Sequence, residues 1–212
     1  MKTKKITGIL LSAVALVAML SILLAVSASG LGTTTIEGVS YYQISTADDL
    51  YEFAQIVNGT HPTIAQNTAA NAILTKDIVV NQNVLTADGA LNGDGSNFKV
   101  WTPIGRSDCE YAGIFDGDGH TVSGLYFNDS TVNHIGLLGY TSGCTVKNVG
   151  VVDSYLSGKD FVGGLVGCFY DSTAENCYNE GAVSGAEYVG GIAGTARKAI
   201  IQYCYNMGKV KC

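Results

Sequence analysis

Toward the C-terminus the chain repeats one short phrase, an apolar pair framed by glycines. Its copies are Gly136-Leu137-Leu138-Gly139, Gly164-Leu165-Val166-Gly167 and Gly191-Ile192-Ala193-Gly194, about 28 and then 27 residues apart. Each is followed by an echo: Lys147-Asn148-Val149-Gly150, Glu175-Asn176-Cys177-Tyr178-Asn179 and Gln202-Tyr203-Cys204-Tyr205-Asn206. Short apolar runs bounded by turn residues predict strands. A fixed period of this length predicts a solenoid, in which each repeat is one turn and only stacking buries the core. The expected fold is therefore all-β, a right-handed parallel β-helix, the hand following the general rule for parallel crossovers. In the middle copy Val162, Leu165, Val166, Ala174 and Val183 are the expected inward side chains. The paired glycines Gly163-Gly164 and Gly190-Gly191 are expected to make sharp corners and allow close backbone approach.

Upstream the pattern changes. Leu50, Phe53, Ala54 and Val57 fall at helical spacing. Ser45 or Thr46 can cap this helix, Asp48 and Asp49 suit its first turn, and Asn58-Gly59 ends it. One amphipathic helix ahead of a solenoid predicts a cap over the first coil. Ala72-Ile73-Leu74 and Ile78-Val79-Val80 read as short strands, and residues 86–97 as a polar, glycine-rich surface loop. Residues 111–122 look like an earlier, divergent coil, which gives four or five coils in all.

The first residues are set apart. Lys2, Lys4 and Lys5 precede an apolar run from Ile6 to Ala25, and Val26-Ser27-Ala28 supplies a cleavage point. This predicts an export signal over 1–28, or an uncleaved anchor, since the run is long enough to span a bilayer. Membrane contact is expected only through this segment. Residues 29–60 then form the lead-in and capping helix. The solenoid fills 61–212, with clear copies at about 133–160, 161–187 and 188–212. Without the three leader lysines, nine basic residues remain against eighteen acids. No cationic run survives for binding nucleic acid, which needs clustered cations.

Six cysteines in an exported chain raise the question of disulfides. Cys177 and Cys204 occupy equivalent places in successive repeats. Stacked strands lie about 4.8 Å apart, which a disulfide tolerates. A ladder of buried thiols fits the same register. Asn179 and Asn206 could form an amide ladder in the same way. Tyr178 and Tyr205 are also equivalent, as are Phe161 and Tyr188. Turned outward, Tyr178 and Tyr205 make a platform for sugars or partner proteins; alternatively they stack to stabilise the sheet.

The phrases Phe161-Val162-Gly163-Gly164-Leu165-Val166-Gly167 and Tyr188-Val189-Gly190-Gly191-Ile192-Ala193-Gly194 resemble the GLUG motif of bacterial surface proteins. So do Asn176-Cys177-Tyr178-Asn179-Glu180-Gly181-Ala182-Val183, Trp101-Thr102-Pro103-Ile104-Gly105 and residues 115–122. The resemblance covers roughly residues 44–211. It implies an exported or cell-surface β-solenoid, often part of longer proteins from gut or oral bacteria. Some relatives join such repeats to an immunoglobulin-cleaving metallopeptidase, and the family's repeats carry no catalytic residues of their own.

There is no His-Glu-x-x-His and no phosphate-binding glycine loop followed by Lys-Ser or Lys-Thr. Asp116 and Asp118, like Asn92, Asp94 and Ser96, look like fragments of a calcium loop but lack its glycine and distal glutamate. Neither metal nor cofactor is expected. The expected function is a non-catalytic extracellular or cell-surface module for adhesion, engaging a glycan or a host or cell-surface protein. The alternatives are a spacer or piece of a larger surface enzyme and, third, a small glycan-degrading enzyme. The third copy ends at Cys212, so its open coil is an expected site of self-association.

Overall fold

Two strands and one helix precede the coils. The computed structural model describes residues 30–212; the predicted leader over 1–28 lies outside the described residues. β1 (Thr33–Ile36) and β2 (Val39–Ile44) form an antiparallel hairpin. Its turn residues Glu37 and Gly38 both take positive φ, 50° and 83°, as tight hairpin turns favour. Helix α1 (Ala47–Asn58) is capped by Thr46 in a reciprocal box with Asp49, and Gly59 closes it at φ 69°. Both termini are thus satisfied where the sequence predicted. Leu50, Phe53, Ala54, Ile56 and Val57 are buried. The Phe53 ring meets those of Tyr42, Tyr111 and Phe115 at 6.0, 6.1 and 6.3 Å. The helix therefore extends the core of the first turns, as a cap does, instead of lying beside them. Among the described residues no helix is long and apolar enough to cross a membrane.

The rest is a β-solenoid of about six turns. One sheet shows the stack directly: β2 is followed by β3 (Ala72–Leu74), β5 (Ile114–Asp116), β9 (Thr145–Lys147), β14 (Thr173–Glu175) and β19 (Ile200–Gln202), all parallel. A second runs from β4 (Ile78–Val79) through β6 (Thr121–Ser123), β10 (Gly150–Val152) and β15 (Tyr178–Asn179) to β20 (Tyr205–Asn206). The third joins β7 (Tyr126–Asn128), β11 (Tyr155–Ser157), β16 (Ala182–Ser184) and β21 (Val210–Lys211). The fourth and fifth pair β12 (Asp160–Gly163) with β17 (Glu187–Gly190), and β8 (Leu138–Ser142) with β13 (Val166–Tyr170) and β18 (Ala193–Arg197). The four or five coils expected become six because the first turns carry no legible repeat.

Register puts like positions above one another. Phe115, Val146, Ala174 and Ile201 form one inward column, and Leu156, Val183 and Val210 another. The five inward side chains expected of the middle copy are all buried. A different column changes character along the stack, from Val122 and Val151 to Asn179 and Asn206. Here Asn179 donates to Asn206 Oδ1 at 2.8 Å and to Gly181 O at 3.0 Å, while Gly181 N donates to Asn179 Oδ1 at 3.1 Å. Buried amides need such partners. A Cβ on Gly164 would collide with the Asn179 side chain and with Gly191 O. Close approach, as expected, explains this glycine.

The expected corner at the paired glycines lies elsewhere. Positive φ belongs to His134, Phe161 and Tyr188, at 63°, 60° and 55°. Bulky residues seldom adopt this conformation. Cross-coil bonds hold it here: His134 N donates to Asp160 O and Ile135 N to Phe161 O, both at 3.0 Å. The last glycine of each tetrad lies against such a corner. A Cβ on Gly167 would come 2.6 Å from the His134 carbonyl carbon, and one on Gly194 2.6 Å from that of Phe161. Gly136, Gly139 and Gly191 are crowded likewise.

Candidate binding groove

The aromatic corners build one wall of a groove. His134 stacks on Phe161 at 5.1 Å and 18°, and Phe161 on Tyr188 at 4.7 Å and 4°. Stacking at one repeat spacing fixes all three rings in one column. Beside them runs the β8-β13-β18 sheet, whose residues Tyr140, Cys168 and Thr195 are in register, as are Tyr170 and Arg197. Tyr140 meets His134 edge-on at 5.1 Å and 73°. Glu110 completes a hollow of about 530 Å³ lined by His134, Tyr140, Phe161, Cys168, Tyr170, Thr195 and Arg197, with Tyr188 outside it. Arg197 and Lys198 lie 5.9 and 5.6 Å from the Tyr170 ring centre, within cation–π range.

Protonation in the groove favours neutral groups. Burial lowers the His134 pKa below its ordinary 6.5, so the imidazole is neutral at pH 7. Burial first, then the Glu110 charge, raises the Cys168 thiol. Tyr140 is raised by Cys168 and by burial. The result is a rigid strip of aromatic and neutral polar groups, with Glu110 and Arg197 supplying opposite charges. Within the column the rings cover one another's faces, while Tyr140 and Tyr170 add phenol hydroxyls, a mix of apolar and hydrogen-bonding groups that suits sugar rings and amphipathic partners.

A larger hollow of about 880 Å³ shares His134 and lies between residues 100–108 and 127–135. Its charges are engaged locally. Arg106 Nε bonds Asp108 at 3.1 Å, and Asp129 accepts from Thr131 N and Oγ1 at 2.9 and 2.6 Å.

The other candidates fall on different faces. Tyr178 and Tyr205 are in register on β15 and β20, with parallel rings at 5.1 Å and 3°. A Cβ on Gly150 would strike the Tyr178 ring, which leans back over that glycine. The two rings stack face to face, in the same geometry as Phe161 and Tyr188. Cys177 and Cys204 are both thiols, as are the other four cysteines. Each Sγ donates to a backbone carbonyl, Cys177 to Glu175 O at 3.2 Å and Cys204 to Gln202 O at 3.3 Å, and the neighbouring thiol raises Cys177 and lowers Cys204. Of the two arrangements open from sequence, the structure has the thiol ladder. Asp116 is taken up by Lys147 Nζ at 3.0 Å, Asn148 Nδ2 at 3.0 Å and Asp118 N at 2.9 Å. Asp94 accepts from Ser96 N and Oγ at 2.9 and 2.7 Å, as a turn residue does.

Sequence reasoning paired Phe161 with Tyr188 but missed His134 as the first rung. The same spacing of 27 residues separates all three. Tyr140, Tyr170, Glu110 and Arg197 escaped notice because strand register, not sequence spacing, brings them to this face. No family model, curated protein or solved structure matches the chain.

Proposed function

We propose that the protein is a non-catalytic extracellular or cell-surface module that binds a glycan, or a glycosylated host or cell-surface protein, in the groove lined by His134, Tyr140, Phe161 and Tyr170. The observation that carries this reading is the hollow in which the stacked His134 and Phe161 rings stand beside Tyr140 and Tyr170 of β8 and β13. A pre-ordered site loses little conformational freedom on binding. A single carboxylate, Glu110, lines the groove, whereas most glycoside hydrolases use a facing pair. The neutral thiol and imidazole likewise suit binding better than nucleophilic attack. The basic, apolar start of the chain and its resemblance to GLUG proteins support export to the cell surface.

The test is a glycan and mucin array probed with the purified chain and with Tyr140→Ala/Tyr170→Ala. Selective, saturable binding lost in the double variant supports the groove. Equal binding by both proteins, or none by a folded chain, refutes it.

A further inference from the structure

Val100, Trp101, Pro103, Phe127, Val132 and Ile135 give the hollow of about 880 Å³ an apolar lining. Trp101 and Ile135 are each only 1% exposed, whereas Val100 and Val132 are 55% and 38% exposed. The two open valines come from the two segments that bound the hollow, 100–108 and 127–135. Apolar side chains gathered in a concavity, as opposed to scattered singly, mark a ligand site. Both walls are tied to the coils. Trp101 N donates to Tyr126 O at 2.7 Å and Lys159 N to Val132 O at 2.7 Å, while Tyr51 Oη donates to Val100 O at 2.8 Å. The hollow is therefore pre-formed, and little has to be ordered when it fills.

Its charges select against an anion. Arg106 Nε and Nη2 bond the two oxygens of Asp108 at 3.1 and 3.2 Å, so this guanidinium is engaged. Hydrogen bonds from Thr131 hold the Asp129 carboxyl below the usual carboxylate range. No ion pair joins Asp129 to a cation among the described residues. A carboxylate or phosphate entering the hollow would meet this charge, and an uncharged chain would not.

The hollow and the groove adjoin at two places. His134 lines both. The loop 106–109, closed by backbone hydrogen bonds of 3.1 and 3.0 Å between Arg106 and Cys109, serves both as well. Its Asp108 lines the larger hollow, Glu110 just beyond it lines the groove, and Cys109 between them is buried. A ligand that leaves the groove past His134 thus enters an apolar hollow.

We propose that this hollow receives the uncharged alkyl aglycone of a glycoside whose sugar lies in the groove. The proposal rests on the groove reading for the sugar and adds what the sugar is attached to. The chain packs against Val100, Val132, Phe127 and Pro103, and the sugar hydroxyls stay with Tyr140 and Tyr170. Glycosides that carry such a chain then bind more tightly than the free glycan.

The experiment titrates the full chain with hexyl, octyl and decyl maltoside, below their micellar concentrations, in a calorimeter. Affinity should rise about fourfold for each CH2 added, the equivalent of about 0.8 kcal/mol. The gain should vanish in Val100→Asp/Val132→Asp, whose melting should stay near the parent's because both side chains are exposed. On the parent, octanol should bind at least about fivefold more tightly than octanoate, whose charge meets Asp129. No dependence on chain length, or the same dependence in the aspartate variant, overturns the proposal. Octanoate binding as tightly as octanol overturns it too, by assigning the hollow to an anion. Failure of the groove reading shows separately, as equal array binding by Tyr140→Ala/Tyr170→Ala.

Discussion

Asn179 and Asn206 are joined across two coils by an amide hydrogen bond of 2.8 Å, and each side chain also donates to the carbonyl oxygen two residues on, at 3.0 and 2.8 Å. The inner member of the pair is fully buried and the outer one exposed. Asn179→Ala strips partners from Gly181 N and O in a dry site and is expected to cost about 2–3 kcal/mol. Asn206→Ala, at the solvent end, should cost less than about 1 kcal/mol. Urea unfolding of both variants checks the difference.

Gly164 makes room for that amide. Gly164→Val should destabilise by at least about 3 kcal/mol, because the new side chain meets Asn179 and the next coil's backbone, neither of which can move cheaply. Gly30→Ala is the control, since nothing lies within 4 Å of its Cβ position. Thermal unfolding should separate them clearly; similar melting of the two variants would contradict the register.

That core was largely legible in advance. A period of 27 residues, read against alternation, was enough to place Val162, Leu165, Val166, Ala174 and Val183 inside, because stacking repeats one environment in each coil. The corners were not legible. A rare left-handed conformation on His134, Phe161 and Tyr188 is imposed by cross-coil hydrogen bonds, and local preference alone would assign it to glycine. The first turns were also hidden, since Tyr111 and Trp101 are fixed by long-range partners. Tyr111 Oη donates to Ala70 O at 3.0 Å and Trp101 Nε1 to Gly136 O at 3.0 Å.

Acid should loosen the helix cap. Partial burial raises the Asp49 pKa, but hydrogen bonds from Ser45 and Thr46 outweigh it and hold the carboxyl below its ordinary 3.8. A lowered folded pKa stabilises above the unfolded value, and that stability is lost as pH falls through the folded one. Asp49→Asn should therefore melt lower than the parent at pH 6, with the gap closing below about pH 4. Circular dichroism melts across that range would show it; a gap independent of pH would rule out the carboxylate as its source.

The thiols should react in a fixed order. Cys204, lowered by the neighbouring Cys177 thiol and partly exposed, should alkylate ahead of Cys177 and Cys144 in the native protein. Cys144 is buried and pushed up to about 11, so it should label only on unfolding. Mass spectrometry after iodoacetamide treatment reads the order. Unfolded without reductant, the chain should accept label at both Cys177 and Cys204, whereas a disulfide would block both.

The groove itself is tested most directly by titrating the isotopically labelled chain with a glycan selected from the array, followed by NMR. Shifts confined to His134, Tyr140, Phe161, Tyr170 and their neighbours, saturating together and absent in Tyr140→Ala/Tyr170→Ala, are the expected result. Shifts centred on Tyr178 and Tyr205, or no saturable change anywhere in a folded sample, would contradict the binding site proposed for this protein.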